Sequence, residues 1–166
     1  MKALRESHRC DVFMTSANAV TMDGKIVSVD RAGNRVAGMI FGAPRVILII
    51  GRNKIVADVE AAIDRIRNVI APIHQKRKEK KTPCVKTGKC QDCNAPDRGC
   101  NITVILEKRP LLTDITILLV DEDLGLAWDP SWSQQRIEDI RAGYYDKTWV
   151  FKGIKGASPT STNEHR

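Results

Sequence analysis

The sequence predicts an α/β domain with a mostly parallel sheet and helices on its faces. Three observations predict it. Residues 45–51, "RVILIIG", form a continuous apolar, β-branched run between Pro44 and Gly51, too short for a helix and suited to a central parallel strand. Ile55, Val59, Ile63, Ile66 and Ile70 then recur at spacings of four and three, the stripe of a helix packed on one side. Strand-like and helix-like segments alternate over the rest of the chain, as they do in α/β folds. A length of 166 residues allows a core that folds without staples.

The elements follow in order. "CDVFMTS", residues 10–16, reads as a short strand running into a loop, with Cys10 as a small buried residue. "AVTMDGKIVSVD", residues 19–30, reads as a hairpin, because Asp23-Gly24 supplies the positive φ angles of a tight turn. This hairpin makes the sheet mixed. "GNRVAGMIFG", residues 33–42, reads as a short helix with its break and N-cap at Gly33-Asn34. After the strand at 45–51, the helix is expected from Lys54 to about Ile70. Asp58 and Glu60 sit early and Arg65 and Arg67 late, complementing the helix dipole, and Pro72 ends or bends it. "NITVILE" (101–107) and "DITILLV" (114–120) are two further strands. "SWSQQRIEDIRAGYY" (131–145) is a helix capped by Ser131 or Ser133, and "KTWVF" (147–151) a last strand. Residues 1–155 are read as a single domain, and the polar residues 156–166 as a disordered tail.

Composition excludes some functions. No apolar run approaches the roughly 18 residues of a membrane span. The first thirteen residues, "MKALRESHRCDVF", lack an apolar signal-peptide core, so a cytoplasmic location is expected. The net charge of +7 is concentrated between His74 and Lys89, where Lys76, Arg77, Lys78, Lys80, Lys81, Lys86 and Lys89 face only Glu79. Such a run is most simply a solvated connection. No aromatic residue lies within it to stack on bases, which argues against nucleic-acid binding.

Two features carry chemistry. The first is "LIIGRNK", residues 48–54: a strand, the Gly51 turn, Asn53 as cap, then a helix start. Free N–H groups there, with Arg52 and Lys54, favour an anion, although every helix start offers the same donors. Asp121, Glu122 and Asp123 follow an apolar strand and read as a general base or as a solvated loop. No Ser-His-Asp arrangement and no Gly-rich dinucleotide fingerprint is present.

The second feature is "TPCVKTGKCQDCNAPDRGC", residues 82–100, which holds four of the five cysteines in the spacing C-x5-C-x2-C-x6-C. Cys84, Cys90, Cys93 and Cys100 can supply a four-thiolate site from one loop. In a reducing compartment such clusters read as metal ligands or redox groups before disulfides. A zinc ribbon has two C-x2-C pairs and this loop has one. The spacing lies nearer a plant-type ferredoxin, so an iron–sulfur cluster is the first expectation, with zinc, disulfides or no metal as alternatives. Pro83, Gly88, Pro96 and Gly99 give the turns. Lys86, Lys89 and Arg98 are expected to offset thiolate charge and lower the thiol pKa values.

The segments "DVFMTSANAVTMDGKIVSVDRAGNRVAGMIFGAPRVILIIGRNKIV", "RIRNVIAP", the cysteine loop and "VDEDLGLAWDPSW" resemble the LUD-domain family, the lactate-utilisation or YkgG-like proteins, over about residues 9–151. The resemblance implies the NagB/RpiA/CoA-transferase-like fold, a link to L-lactate oxidation, and iron–sulfur oxidoreductase subunits as partners. Such proteins usually carry a further segment with a Gly-rich turn ahead of the first strand here. A site contributed by that segment is expected to be absent or supplied in trans, and a homodimer is expected. In sugar-isomerase and CoA-transferase relatives, a small anionic or carbonyl-bearing ligand sits at the strand C-terminal ends. That region maps here onto Asn18, Asp23, Gly24, Asn34, Arg35, Asn53 and Lys54. The resemblance leaves the reaction open. Two functional classes follow: a redox-linked protein with a [4Fe-4S] cluster, or a metabolite-binding module with a zinc- or disulfide-clipped loop.

Overall fold

A computed structural model describes residues 5–147. The described residues form two sheets rather than one. The first is parallel, in the order β1 (Val12–Thr15), β4 (Arg45–Gly51), β7 (Asp114–Val120). The second is mixed, in the order β5 (Ile55–Val56), β2 (Ala19–Thr21), β3 (Ile26–Asp30), β6 (Ile102–Leu106), with β2 parallel to β5 and β3 antiparallel to both its neighbours. The α/β class with mostly parallel pairing is borne out, and "RVILIIG" is the central strand of the parallel sheet. "NITVILE" joins the hairpin sheet, where Ile26 to Asp30 pair with Leu106 to Ile102.

The hairpin is the inner layer. Its pair Ala19 and Val27 packs with Val56, Ala62, Ile66 and Ile140 on the helical side. The next pair, Val20 and Ile26, packs with Val46, Leu48, Ile50 and Met39 against the parallel sheet. Period-two alternation here separates two buried faces rather than one buried and one wet. The expected turn is present, with Gly24 at φ 88°.

The helices depart from the sequence reading in three places. The one expected from Lys54 begins as α2 (Val59–Arg65), because Lys54 closes a 3₁₀ turn (Arg52–Lys54) and Ile55 and Val56 are drawn into β5. Asp58 is its N-cap, accepting from Ala61 N–H at 2.8 Å. Pro72 does not end the helix. A π turn (Ile66–Ile70) runs directly into α3 (Ala71–Arg77), with Pro72 in its first turn. A proline lacks the N–H that the ladder would use, and a widened turn absorbs that loss.

The short helix α1 (Asn34–Ala37) passes into a π turn (Gly38–Gly42). Gly33, at φ 85°, is the N-cap residue, as the Gly33-Asn34 break predicts, and the side chain that caps comes from elsewhere. The Asp30 carboxylate, four residues upstream of Asn34, accepts from the N–H groups of Arg35 at 3.0 Å and Val36 at 3.3 Å. The cysteine loop carries its own short helix, α4 (Pro83–Thr87), ended by Gly88 at φ 73°. The last helix, α5 (Gln134–Lys147), follows Ser133, whose carbonyl accepts from Ile137 N–H at 3.2 Å, whereas Ser131 is tied to Asp129. Most of the "KTWVF" segment and the whole C-terminal tail lie outside the described residues. Among the described residues, no helix is long and apolar enough to cross a membrane.

Candidate functional site

The three parallel strands end together. Thr15 leads into Ser16 and Ala17, Gly51 into the 52–54 turn, and Val120 into the 121–128 loop. This is the edge at which ligands bind in open α/β sheets. Gly51 is what lets the last two segments meet: a Cβ there would lie 2.5 Å from Leu124 N and 2.7 Å from the Glu122 carbonyl oxygen. No side chain fits that approach.

Asn53 is fully buried and organises the loop above it. Its amide donates to the carbonyls of Gly125 at 3.2 Å and Ala127 at 3.0 Å, and its oxygen accepts from Leu124 N–H at 3.0 Å. The side chain is therefore committed to the protein. Arg35 is likewise committed, donating to Ser16 O at 2.8 Å, Asn18 Oδ1 at 2.9 Å and Val29 O at 2.7 Å. Asn18 Oδ1 also accepts from Val29 N–H. These three residues build the edge.

Lys54 is different. It is 9% exposed, and its ammonium donates to Ser16 Oγ at 2.7 Å and Ala17 O at 3.0 Å. No carboxylate pairs with it among the described residues. Burial, and then the charge of Arg35, lower its pKa from 10.5 to about 8. An ammonium has three donors and the protein engages two. Asn18, Arg35, Asn53 and Lys54 are thus linked at one edge. Asp23 and Gly24 lie in the β2–β3 turn, where Asp23 accepts from Thr21 Oγ1 and pairs with Lys25 at 2.9 Å. Asn34 opens α1.

The anion site expected at a helix start after Gly51 is not built that way, because the turn there is 3₁₀ and the helix begins later. Arg52 is held by Asp121 at 3.1 Å and Asp123 at 3.2 Å. Asp123 also accepts from Nε and Nη2 of Arg136, each at 2.7 Å, and these contacts, Arg136 first, hold its pKa below the usual range. Arg136 in turn stacks 3.6 Å over the Trp132 ring. Buried Arg65 donates to the carbonyls of Asn53 and Ile55 and pairs with Asp129 at 3.3 Å. Asp121 and Asp123 therefore tie the loop to Arg52 and Arg136, and at neutral pH Asp123 stays ionised in its ion pairs. Ser16 and Arg65 were missed in the sequence because neither belongs to a motif.

Cys84, Cys90, Cys93 and Cys100 line a single pocket against Gln75 of α3. All five cysteines are free thiols. Arg98 closes the loop, donating to the carbonyls of Cys93 at 2.5 Å and Cys100 at 3.1 Å and to Asp92 Oδ1 at 2.8 Å. Gly99 sits where a Cβ would overlap the Gln75 amide. The expected lowering of the thiol pKa does not hold at Cys100. Burial pushes that thiol up more strongly than Arg98 lowers it, and charge on Cys90 and Cys93 adds to the rise. Cys10 is half-buried just ahead of β1. In donor chemistry the set fits a thiophilic ion or cluster: four free thiols on one pocket, three of them electrostatically coupled. Among the described residues, no three His, Cys, Asp or Glu side chains are placed to hold one ion.

The family model described as "LUD domain" matches residues 1–120. The chain belongs to the LUD-domain family. The matched span of this LUD-domain chain contains Ser16, Arg35, Lys54 and the whole cysteine loop, and it ends with β7. The NagB/RpiA-like fold that the resemblance implies is compatible with the two-sheet arrangement. No curated protein and no solved structure matches the chain.

Proposed function

We propose that this LUD-domain protein serves lactate-linked redox metabolism, binding a small anionic metabolite at the edge where β1, β4 and β7 end. The observation that carries the reading is Lys54, a cation taken nine-tenths out of water with no carboxylate among the described residues to pair with it. An unpaired buried ammonium is costly, and an anionic ligand would offset that cost. Arg35, anchored beneath Ser16, adds positive potential to the same edge.

Cys84, Cys90, Cys93 and Cys100 would hold a [4Fe-4S] cluster, with zinc as the alternative. A cluster would supply one-electron transfer to iron–sulfur oxidoreductase subunits. The common pocket and the free thiols support this assignment. A second copy of the chain is the partner proposed for the exposed apolar face of the parallel sheet, which carries Val12, Met14 and Leu118.

The metabolite site is tested by calorimetric titration of wild type and Lys54→Met with L-lactate and with pyruvate. Saturable heat with wild type and none with the variant is expected; equal binding by both refutes the site. Metal and sulfide analysis of anaerobically purified wild type and Cys90→Ser tests the loop. Iron, sulfide and a visible absorption bleached by dithionite are expected, all lost in Cys90→Ser. Colourless protein with stoichiometric zinc identifies the binding-module alternative, and metal content unchanged by Cys90→Ser overturns the ligand assignment.

A further inference from the structure

We propose that Ser16 and Lys54 form a nucleophile–base pair that cleaves an activated acyl donor, an ester or thioester bearing negative charge. The proposal rests on the reading of Lys54 as a ligand-facing residue and adds a reaction to that site. Lys54 Nζ lies 2.7 Å from Ser16 Oγ, within the range at which a base takes a proton from its nucleophile. Serine–lysine pairs are one of the recurring variants of nucleophile and base on unrelated folds.

The surroundings single out these two groups. Asn53, Arg35 and Asn18 spend their polar atoms within the protein. Ser16 is half-buried at the sheet edge, and among the described residues its hydroxyl otherwise reaches only the Ala17 carbonyl, at 3.4 Å. Backbone flanks the amine closely on a further side, since a Cβ on Gly125 would lie 3.6 Å from Nζ. A lysine kept only to pin the Ser16–Ala17 loop would gain from a carboxylate neighbour. None is present among the described residues, and the one charge felt strongly, Arg35, is positive. This environment favours the neutral amine, the form that acts as a base. With a pKa of about 8, roughly a tenth of Lys54 is neutral at pH 7.

The step balances without a further cofactor. Neutral Lys54 takes the Ser16 hydroxyl proton as Oγ bonds to the acyl carbon. The tetrahedral intermediate collapses, the bond to the leaving oxygen or sulfur breaks, and Lys54 returns the proton to that atom. Water then adds to the acyl-serine, giving a proton to Lys54; the acyl–Oγ bond breaks as Lys54 returns that proton to Oγ, and the carboxylic acid leaves with Ser16 and neutral Lys54 restored. The positive field of Arg35 favours both an anionic substrate and the charge developing on the carbonyl oxygen.

The test is covalent labelling of the full chain with a fluorophosphonate, located by peptide mass spectrometry, beside hydrolysis of p-nitrophenyl acetate. Expected are an adduct on Ser16, a labelling rate that rises through a pH of about 8, and loss of both signals in Ser16→Ala. Lys54→Arg, which retains the donor but not a titratable base, should label about 100-fold more slowly. Wild type unlabelled at Ser16 at high pH, or Lys54→Arg labelled at the wild-type rate, overturns the proposal. Should Lys54→Arg fail to fold, Ser16→Ala and the pH profile of wild type decide. Ser16 unlabelled while L-lactate still binds wild type and not Lys54→Met removes the acyl chemistry and leaves the metabolite site standing.

Discussion

Replacing Lys54 with methionine should flatten the alkaline dependence of stability. Lys54 is folded with a pKa of about 8 against an ordinary 10.5. Between those values the unfolded chain binds more protons than the native one, so stability rises with pH through that window. Below pH 8 the full cost of the buried charge is felt. Linkage puts that cost at about 3 kcal/mol, of which about 2 to 3 kcal/mol is relieved between pH 7 and 10. Methionine keeps most of the volume, removes the charge, and gives up the bonds to Ser16 Oγ and Ala17 O. Its absolute effect at pH 7 therefore combines a gain and a loss. Its effect on the pH slope is one-signed. Urea unfolding at pH 7 and 10, followed through Trp128 and Trp132, measures both proteins, and titrations common to the two cancel in the difference. Wild type should gain about 2 to 3 kcal/mol more than Lys54→Met over that interval. Equal gains would show that Lys54 is not the buried, unpaired ammonium on which the site is built.

Asn53→Ala strips three hydrogen bonds from a fully buried position and should cost about 2 to 4 kcal/mol in urea unfolding, with a cost under 1 kcal/mol refuting its role as the loop's organiser. His74 shares a 2.5 Å hydrogen bond with Tyr144, and burial, followed by the charges of Lys78, Arg35 and Arg77, lowers its pKa from 6.5 to about 4. The neutral ring is favoured in the fold, so its contribution is complete above pH 6.5 and lost as pH falls towards 4. Wild type should lose up to about 3 kcal/mol more than His74→Gln over that range, which acid-dependent thermal unfolding reads directly. Arg98→Ala removes the donor to the carbonyls of Cys93 and Cys100 and should speed alkylation of both thiols several-fold. Unchanged rates would show that the loop closes without it.

Elements legible in the sequence were those whose signal is local. "RVILIIG" and "DITILLV" are strands because continuous β-branched apolar runs fit a parallel sheet, and Asp23-Gly24 makes a turn because glycine reaches positive φ freely. Helix boundaries were less legible. Ile55 fits the helical stripe as well as it fits a strand, and only pairing of β5 with β2 decides between them. The Pro72 signal was overridden because a π turn ahead of it removes the clash and the missing bond together.

The site divides in the same way. The cysteine spacing, Asn53 and Lys54 stand out from residue type and position along the chain. Their duties do not, since a duty depends on what folds against the side chain. Asn53 is saturated by a loop more than 70 residues away, and Asp123 by Arg136 and Arg52. The sequence alone determined an α/β LUD-domain chain with four thiols on one loop. Tertiary structure alone decided that Lys54 is buried, has no counter-ion among the described residues and rests on Ser16, because dielectric and partner distance are properties of packing.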